Sequence, residues 1–131
     1  MLQELLQSAS LSASGSNLQP WKIYALAGEA KQQLCETVAR RLPENPRGET
    51  ADIPIYPKDL RNPWRQRSFD CAEVMYNALG IAREDKGGRL MQVIKNFSFF
   101  DAPVGLIFTV DRHLSESQIL DTGIIAQSIM L

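Results

Sequence analysis

The run Val104-Gly105-Leu106-Ile107-Phe108-Thr109-Val110 is almost entirely apolar and is bounded by Pro103 and Asp111. A run this short and this apolar predicts a central strand, covered on both faces and paired on both edges. One other stretch reads as a strand: Trp21 to Leu26, WKIYAL, where large apolar residues alternate with others until Gly28 stops the pattern. An isolated pair of strands is marginal in water. The expectation is therefore a partial sheet whose remaining neighbours lie outside these residues.

Helical patterns supply the rest. Leu2, Leu5 and Leu6 share one face of a segment over residues 1 to about 9. A second helix is predicted from Glu29 to about Leu42, with Leu34, Val38 and Leu42 at fourfold spacing and Arg40 and Arg41 near the C-terminal dipole. Further helices are expected from about Trp64 to Leu79 and, with the Gly87-Gly88 pair at its start, from Lys86 to about Phe97. Prolines 43, 46, 54, 57 and 63 break the intervening stretch into a long irregular excursion of the kind used as lids or flexible segments. Ser115-Glu116-Ser117-Gln118 has the S-x-x-Q form of a capping box. The helix behind it, ILDTGIIAQSIML, is apolar nearly all round from Gly123 onward and is predicted to be buried in a core or an interface. Its pattern reaches Leu131 without glycine, a basic last turn or proline, as if cut inside a central helix.

A chain of 131 residues with 44% hydrophobic and 22% charged residues suits a single soluble domain over 1–131, here incomplete. Fourteen Lys and Arg against fifteen Asp and Glu leave a formal charge of −1, so no global field favours nucleic acid or an anionic membrane. Cys35 and Cys71 lack disulfide or zinc spacing, which makes a reducing cytoplasm the expectation. No apolar run reaches the ~18 residues of a membrane span. The glycine patterns of dinucleotide and P-loop sites are absent, as is G-x-S-x-G, and His113 reads as a loop residue. Arg61 to Arg67, RNPWRQR, interleaves Trp64 with arginines, but without a wider basic patch it reads as a solvated helix start or lid.

The loop ahead of the first strand, Ser12 to Trp21, is denser in chemistry. Hydroxyls and backbone amides at Ser14, Gly15 and Ser16 are potential donors, and Gly15 allows a flat ligand close to the backbone. Asn17 and Gln19 each carry a donor and an acceptor, and Pro20 is expected to restrict Gln19 to an extended conformation. By composition this is either a Ser/Asn turn leading into a strand or one wall of a site for a planar heterocycle.

The order Ala13-Ser14-Gly15-Ser16-Asn17-Leu18-Gln19-Pro20-Trp21 resembles the P-S-x-x-N-x-Q-P-W segment of the FMN-dependent nitroreductase family. Asn96 to Val104, NFSFFDAPV, is similar to that family's F-x-x-A-P-V lead into a central strand, and Leu120 to Leu131 is similar to its dimer-interface helix. The resemblance spans nearly the whole chain and is strongest to the nitroaromatic-reducing branch. It implies an α+β fold, a partial central antiparallel sheet flanked by helices, and an intertwined homodimer with FMN sites built from both subunits. It implies NAD(P)H as hydride donor and a nitroaromatic or quinone-like acceptor in a ping-pong reaction. The flavin would carry the chemistry, so no protein acid, base or nucleophile is expected. By the family pattern Ser14 and Gly15 would contact the isoalloxazine ring, Ser16 would lie on the substrate side, and Asn17 and Gln19 would support the loop. Gln127 and its helix would pack across the dimer axis.

Departures from the pattern sharpen the expectation. Ala13 stands where the family has proline, and the family's arginine-rich phosphate-binding segment has no counterpart before Leu2. Two lost charge-assisted hydrogen bonds would weaken FMN binding by roughly 3–6 kcal/mol, about 10²–10⁴-fold. A non-catalytic dimerisation or interaction module unable to hold FMN is the alternative. A flavin-binding relative with different chemistry, reductive dehalogenation or flavin destruction, is a third.

Overall fold

The structure, a computed structural model, describes residues 1–44, 51 and 53–131; Pro46, one of the five prolines of the irregular excursion, lies outside the described residues. Five helices are seen among them: α1 (Leu2–Ala9), α2 (Gly28–Arg41), α3 (Trp64–Ala78), α4 (Lys86–Ile94) and α5 (Ser117–Met130). Two strands, β1 (Trp21–Ala27) and β2 (Val104–Val110), complete the α+β architecture. The chain forms two compact units, Met1–Ala27 with Val104–Leu131, and Gly28–Pro103.

In the first unit β1 and β2 pair antiparallel, in register from Trp21 opposite Val110 to Ala27 opposite Val104. Side chains alternate across a pleated strand, so Trp21, Ile23 and Ala25 share a face with Val110, Phe108 and Leu106. Among the described residues β2 has β1 as its one hydrogen-bonded neighbour, which is the partial antiparallel sheet the sequence predicts. Helix α1 and strand β2 both pack against α5. Ile125 of α5 is 1% exposed and is the largest fully buried side chain among the described residues. Seven residues span two helical turns, so Asp121, Ile125 and Ser128 lie along one stripe of α5. That stripe faces inward, with Asp121 and Ile125 buried. Leu120, Ile124 and Gln127 lie on another stripe, and all three are exposed, Leu120 at 74%. The all-round apolar helix is thus half covered within this chain.

The capping box ahead of α5 forms one arm only. Gln118 Oε1 accepts from the Ser115 backbone N–H at 3.1 Å, as the motif requires. The Ser115 hydroxyl, however, donates to the same Oε1 at 2.7 Å and lies 2.7 Å from Ser117 Oγ. The Gln118 amide is left to bond the Ser115 carbonyl, and the helix starts at Ser117.

In the second unit the glycine pair lies within the first turn of α4. The Asp85 carboxylate caps this helix by accepting from the Gly88 N–H at 2.8 Å. The helix expected to continue to Phe97 tightens at Lys95 into a 3-10 segment, Lys95–Asp101, in which Phe99 and Phe100 take left-handed φ values of 55° and 50°. Helices α2 and α4 both contact this segment, leaving an apolar recess of about 410 Å³ lined in part by Cys35, Ala39, Leu42, Met91, Ile94 and Phe97. Arg89 of α4 ties the unit together. Its Nη1 donates to Glu73 Oε1 of α3 at 2.7 Å, its Nε donates to the Ala82 carbonyl at 3.3 Å, and its guanidinium sits 4.2 Å over the Tyr76 ring. The hydrogen bond from Arg89 holds the Glu73 carboxyl below the usual carboxylate range. Arg61 of RNPWRQR pairs with Asp59, and Trp64, 61% exposed, opens α3 as a solvated helix start.

Candidate functional site

The five residues singled out in the sequence, Ser14, Gly15, Ser16, Asn17 and Gln19, occupy a single turn between α1 and β1. Ser14 is extended, and Gly15–Asn17 form one 3-10 turn closed by the Asn17 N–H on the Ser14 carbonyl and the Leu18 N–H on the Gly15 carbonyl, at 3.0 and 3.1 Å. Ser16, Asn17 and Gln19 have φ values of 52°, 57° and 47°. This region is comfortable for Asn and uncommon for Ser and Gln. The expectation that Pro20 holds Gln19 extended is therefore not met. Local bonds offset the proline's preference: the Gln19 N–H donates to Ser14 Oγ at 3.0 Å, and Gln19 Nε2 donates to Asn17 Oδ1 at 3.0 Å. Asn17 and Gln19 thus brace the turn. Ser14 Oγ accepts one bond there, and a hydroxyl in that role retains its own proton for another acceptor.

Two contacts fasten the loop to α5. The Gly15 N–H donates to Asp121 Oδ2 at 3.1 Å, and the hydroxyls of Ser12 and Ser128 lie 2.9 Å apart. The lengths match. Seven helical residues from Asp121 to Ser128 rise about 10.5 Å, and three extended residues from Ser12 to Gly15 reach about 10 Å. The loop therefore runs along the inward stripe of α5, antiparallel to it, with Ile125 between the two fastenings in sequence. The Gly15 amide, expected to serve a ligand, is engaged by Asp121 instead. Sequence reading gave Asp121 no role, although a carboxylate inside ILDTGIIA was a visible signal. Asp121 is 9% exposed, and a buried carboxylate needs a donor.

Gly15 is itself exposed. Its φ lies outside the left-handed range found at Gly28 and Gly80, and an added Cβ would meet Asp121 Oδ2 at 3.7 Å, an ordinary contact. Nothing in the described chain demands glycine at this position.

Elsewhere, His113 lies in the turn after β2, where its backbone N–H donates to Asp111 Oδ1 at 2.9 Å. Among the described residues no cluster of His, Cys, Asp and Glu is arranged to hold a metal ion, and no helix is long and apolar enough to cross a membrane.

The chain is 37% identical over 131 residues to a nitrobenzene nitroreductase of Ectopseudomonas oleovorans, covering all of this chain and 58% of that protein. It is 37% identical over 131 residues to a 4-nitrobenzoate reductase of Pseudomonas putida, covering 56% of it. The fold superposes with a TM-score of 0.92 on the FMN- and NADPH-dependent nitroreductase NfnB from Sphigopyxis sp. strain HMH, at 38% identity, over 98% of this chain and 58% of that one. NfnB from Mycobacterium smegmatis, solved with NADPH, gives a TM-score of 0.87 at 26% identity, over 98% and 57%. The chain thus spans less than three fifths of the length of the relatives it matches. Its sequence also fits the pattern of the Nitroreductase family over residues 1–131. Together with the α+β fold, this match over the full chain shows that the chain belongs to the nitroreductase family.

Proposed function

We propose that the protein carrying this sequence is an FMN-dependent oxidoreductase that uses NAD(P)H to reduce nitroaromatic or quinone-like acceptors. It acts as a cytoplasmic homodimer in which residues 1–131 form part of a nitroreductase-type domain. The observation that carries this reading is Gly15: an exposed glycine that the chain's own packing does not require, on a loop held by bonds at both ends. A position kept free of a side chain on a braced surface suits the close approach of a flat ring. The residues present fit that ring. Ser14 has a hydroxyl proton to offer an acceptor, Gly15 offers a bare backbone, Ser16 lies beside it on the exposed side, and Asn17 and Gln19 keep the turn in shape. Bound there, the flavin supplies hydride transfer, with donor and acceptor visiting in turn. The chain's task is to present the loop and hold it still. The exposed stripe Leu120, Ile124 and Gln127 supports the homodimer, since it leaves apolar area for a second copy of α5 to cover.

The test is direct. The purified protein is titrated with FMN by quenching of flavin fluorescence, then assayed for NADPH and NADH oxidation with nitrobenzene and with a benzoquinone. Micromolar or tighter FMN binding with acceptor-dependent oxidation is expected. A protein that binds no FMN overturns the reading in favour of an interaction module, and one that binds FMN but reduces neither acceptor overturns the choice of substrate.

A further inference from the structure

We propose that Asp121 is a positioning residue of the flavin site: its carboxylate, buried in α5, holds the Ser14–Gly15 peptide in the orientation the cofactor meets. The inference rests on the reading of the loop as a flavin wall and adds the residue that sets where that wall stands.

Asp121 is the one charged side chain among the buried residues described, and its Oδ2 takes the Gly15 N–H from 106 positions away in sequence. A hydrogen bond to an ionised acceptor is about twice as strong as one between neutral groups. The second fastening, between the Ser12 and Ser128 hydroxyls, is neutral, and since each hydroxyl has a single proton it competes with their bonds to the Ala9 and Ile124 carbonyls. Asp121 is thus the stronger of the two attachments and the nearer to the proposed ring contact. The peptide it grips joins both residues assigned to the ring, and the Ser14 carbonyl at its other end receives the Asn17 N–H that closes the turn. Releasing the Gly15 N–H frees this peptide to rotate, which carries Ser14 Oγ and the Gln19 amide bonded to it away together. A ligand that binds only the ordered loop then loses affinity in proportion to the fraction of time the loop is disordered.

Removing the carboxylate while keeping an acceptor separates geometry from charge. Asp121→Asn retains an oxygen at the same reach for the Gly15 N–H, whereas Asp121→Ala has none. The expected result is FMN affinity about 10- to 150-fold weaker in Asp121→Ala, the range that the loss of one charge-assisted hydrogen bond provides. Asp121→Asn, left with a neutral bond of about half that strength, is expected to fall between, about 3- to 13-fold weaker than the parent. Amide exchange gives a readout free of cofactor: in the apo protein the Gly15 N–H should be protected in the parent and in Asp121→Asn, and unprotected in Asp121→Ala. Should Asp121→Ala not fold, Asp121→Glu, whose extra methylene displaces the acceptor, is expected to show the same loss of FMN affinity. Failure of the parent to bind FMN would refute the flavin reading itself. A parent that binds FMN beside a folded Asp121→Ala of equal affinity, or an Asp121→Ala that loses thermal stability alone, overturns the positioning role and leaves the flavin reading standing.

Discussion

Replacing Gly15 by alanine asks whether the space at that position belongs to the chain or to a ligand. Within the chain the new methyl has room: its nearest neighbour is Asp121 Oδ2 at 3.7 Å, and the backbone is outside the left-handed region that penalises a side chain. The Gly15 N–H remains available to Asp121. The apo protein should therefore change by no more than about 0.5 kcal/mol, or gain up to about 1 kcal/mol because alanine has less freedom to lose on folding. With a flavin against the backbone, the same methyl intrudes into a packed contact, and overpacking of this kind costs about 1–3 kcal/mol. That converts to FMN binding about 5- to 150-fold weaker. Urea unfolding of the apo protein and fluorescence titration with FMN measure the two effects separately. Unchanged FMN affinity in Gly15→Ala would show that the ring does not reach the glycine. A loss of more than about 1 kcal/mol in the apo protein would show that the chain itself needs it, and either result refutes the reasoning.

The adjacent glycines of α4 should behave oppositely to each other. A Cβ at Gly88 would come within 2.9 Å of Asp85 Cγ and 3.2 Å of Ile81 Cγ2, whereas one at Gly87 has its closest contact with Asp85 Oδ1 at 3.6 Å. Gly87→Ala should stabilise the protein by about 0.5–1 kcal/mol through helix propensity. Gly88→Ala displaces the Asp85 cap, worth about 1 kcal/mol, which offsets that gain, so urea unfolding should rank it at least about 1 kcal/mol below Gly87→Ala. Glu73 supplies a pH signature. Its folded carboxyl is held lower than in the unfolded chain, so the pairing with Arg89 stabilises fully above the ordinary carboxylate range and is lost as pH falls through the lowered value. Thermal melts should show Glu73→Gln less stable than the parent at pH 7, with the gap closing as pH falls through the lowered value of the Glu73 carboxyl; a gap independent of pH would mean that the ionised pair contributes nothing.

What could be read from the sequence was whatever is written locally. Alternation marked β1, a proline-bounded apolar run marked β2, and the serines, glycine and amides of the loop marked a turn with chemistry in it. The misses arose where a side chain had two partners to choose from. Ser115 could cap the backbone or bond the Gln118 amide oxygen, and it takes the latter. Gln19 precedes a proline, which predicts extended backbone, yet bonds to Ser14 and Asn17 hold it at a φ of 47°. The Asp121–Gly15 bond had no local signature, because its two ends are 106 residues apart and only the folded unit brings them together. The family resemblance supplied the order of the motifs, but not the bond that joins two of them.

That bond also changes what α5 means. An apolar helix exposed on Leu120, Ile124 and Gln127 reads, by itself, as a surface waiting for a partner. Its other stripe, Asp121, Ile125 and Ser128, grips the loop at two points about 10 Å apart, with a fully buried isoleucine between them. Packed side chains transmit displacement because interiors have little slack. In the proposed homodimer, whatever seats α5 against its partner therefore also sets the position of Ser14 and Gly15. The loop and the proposed interface lie on two stripes of one helix, so a dimer contact that shifts α5 along its axis would carry the proposed flavin wall with it.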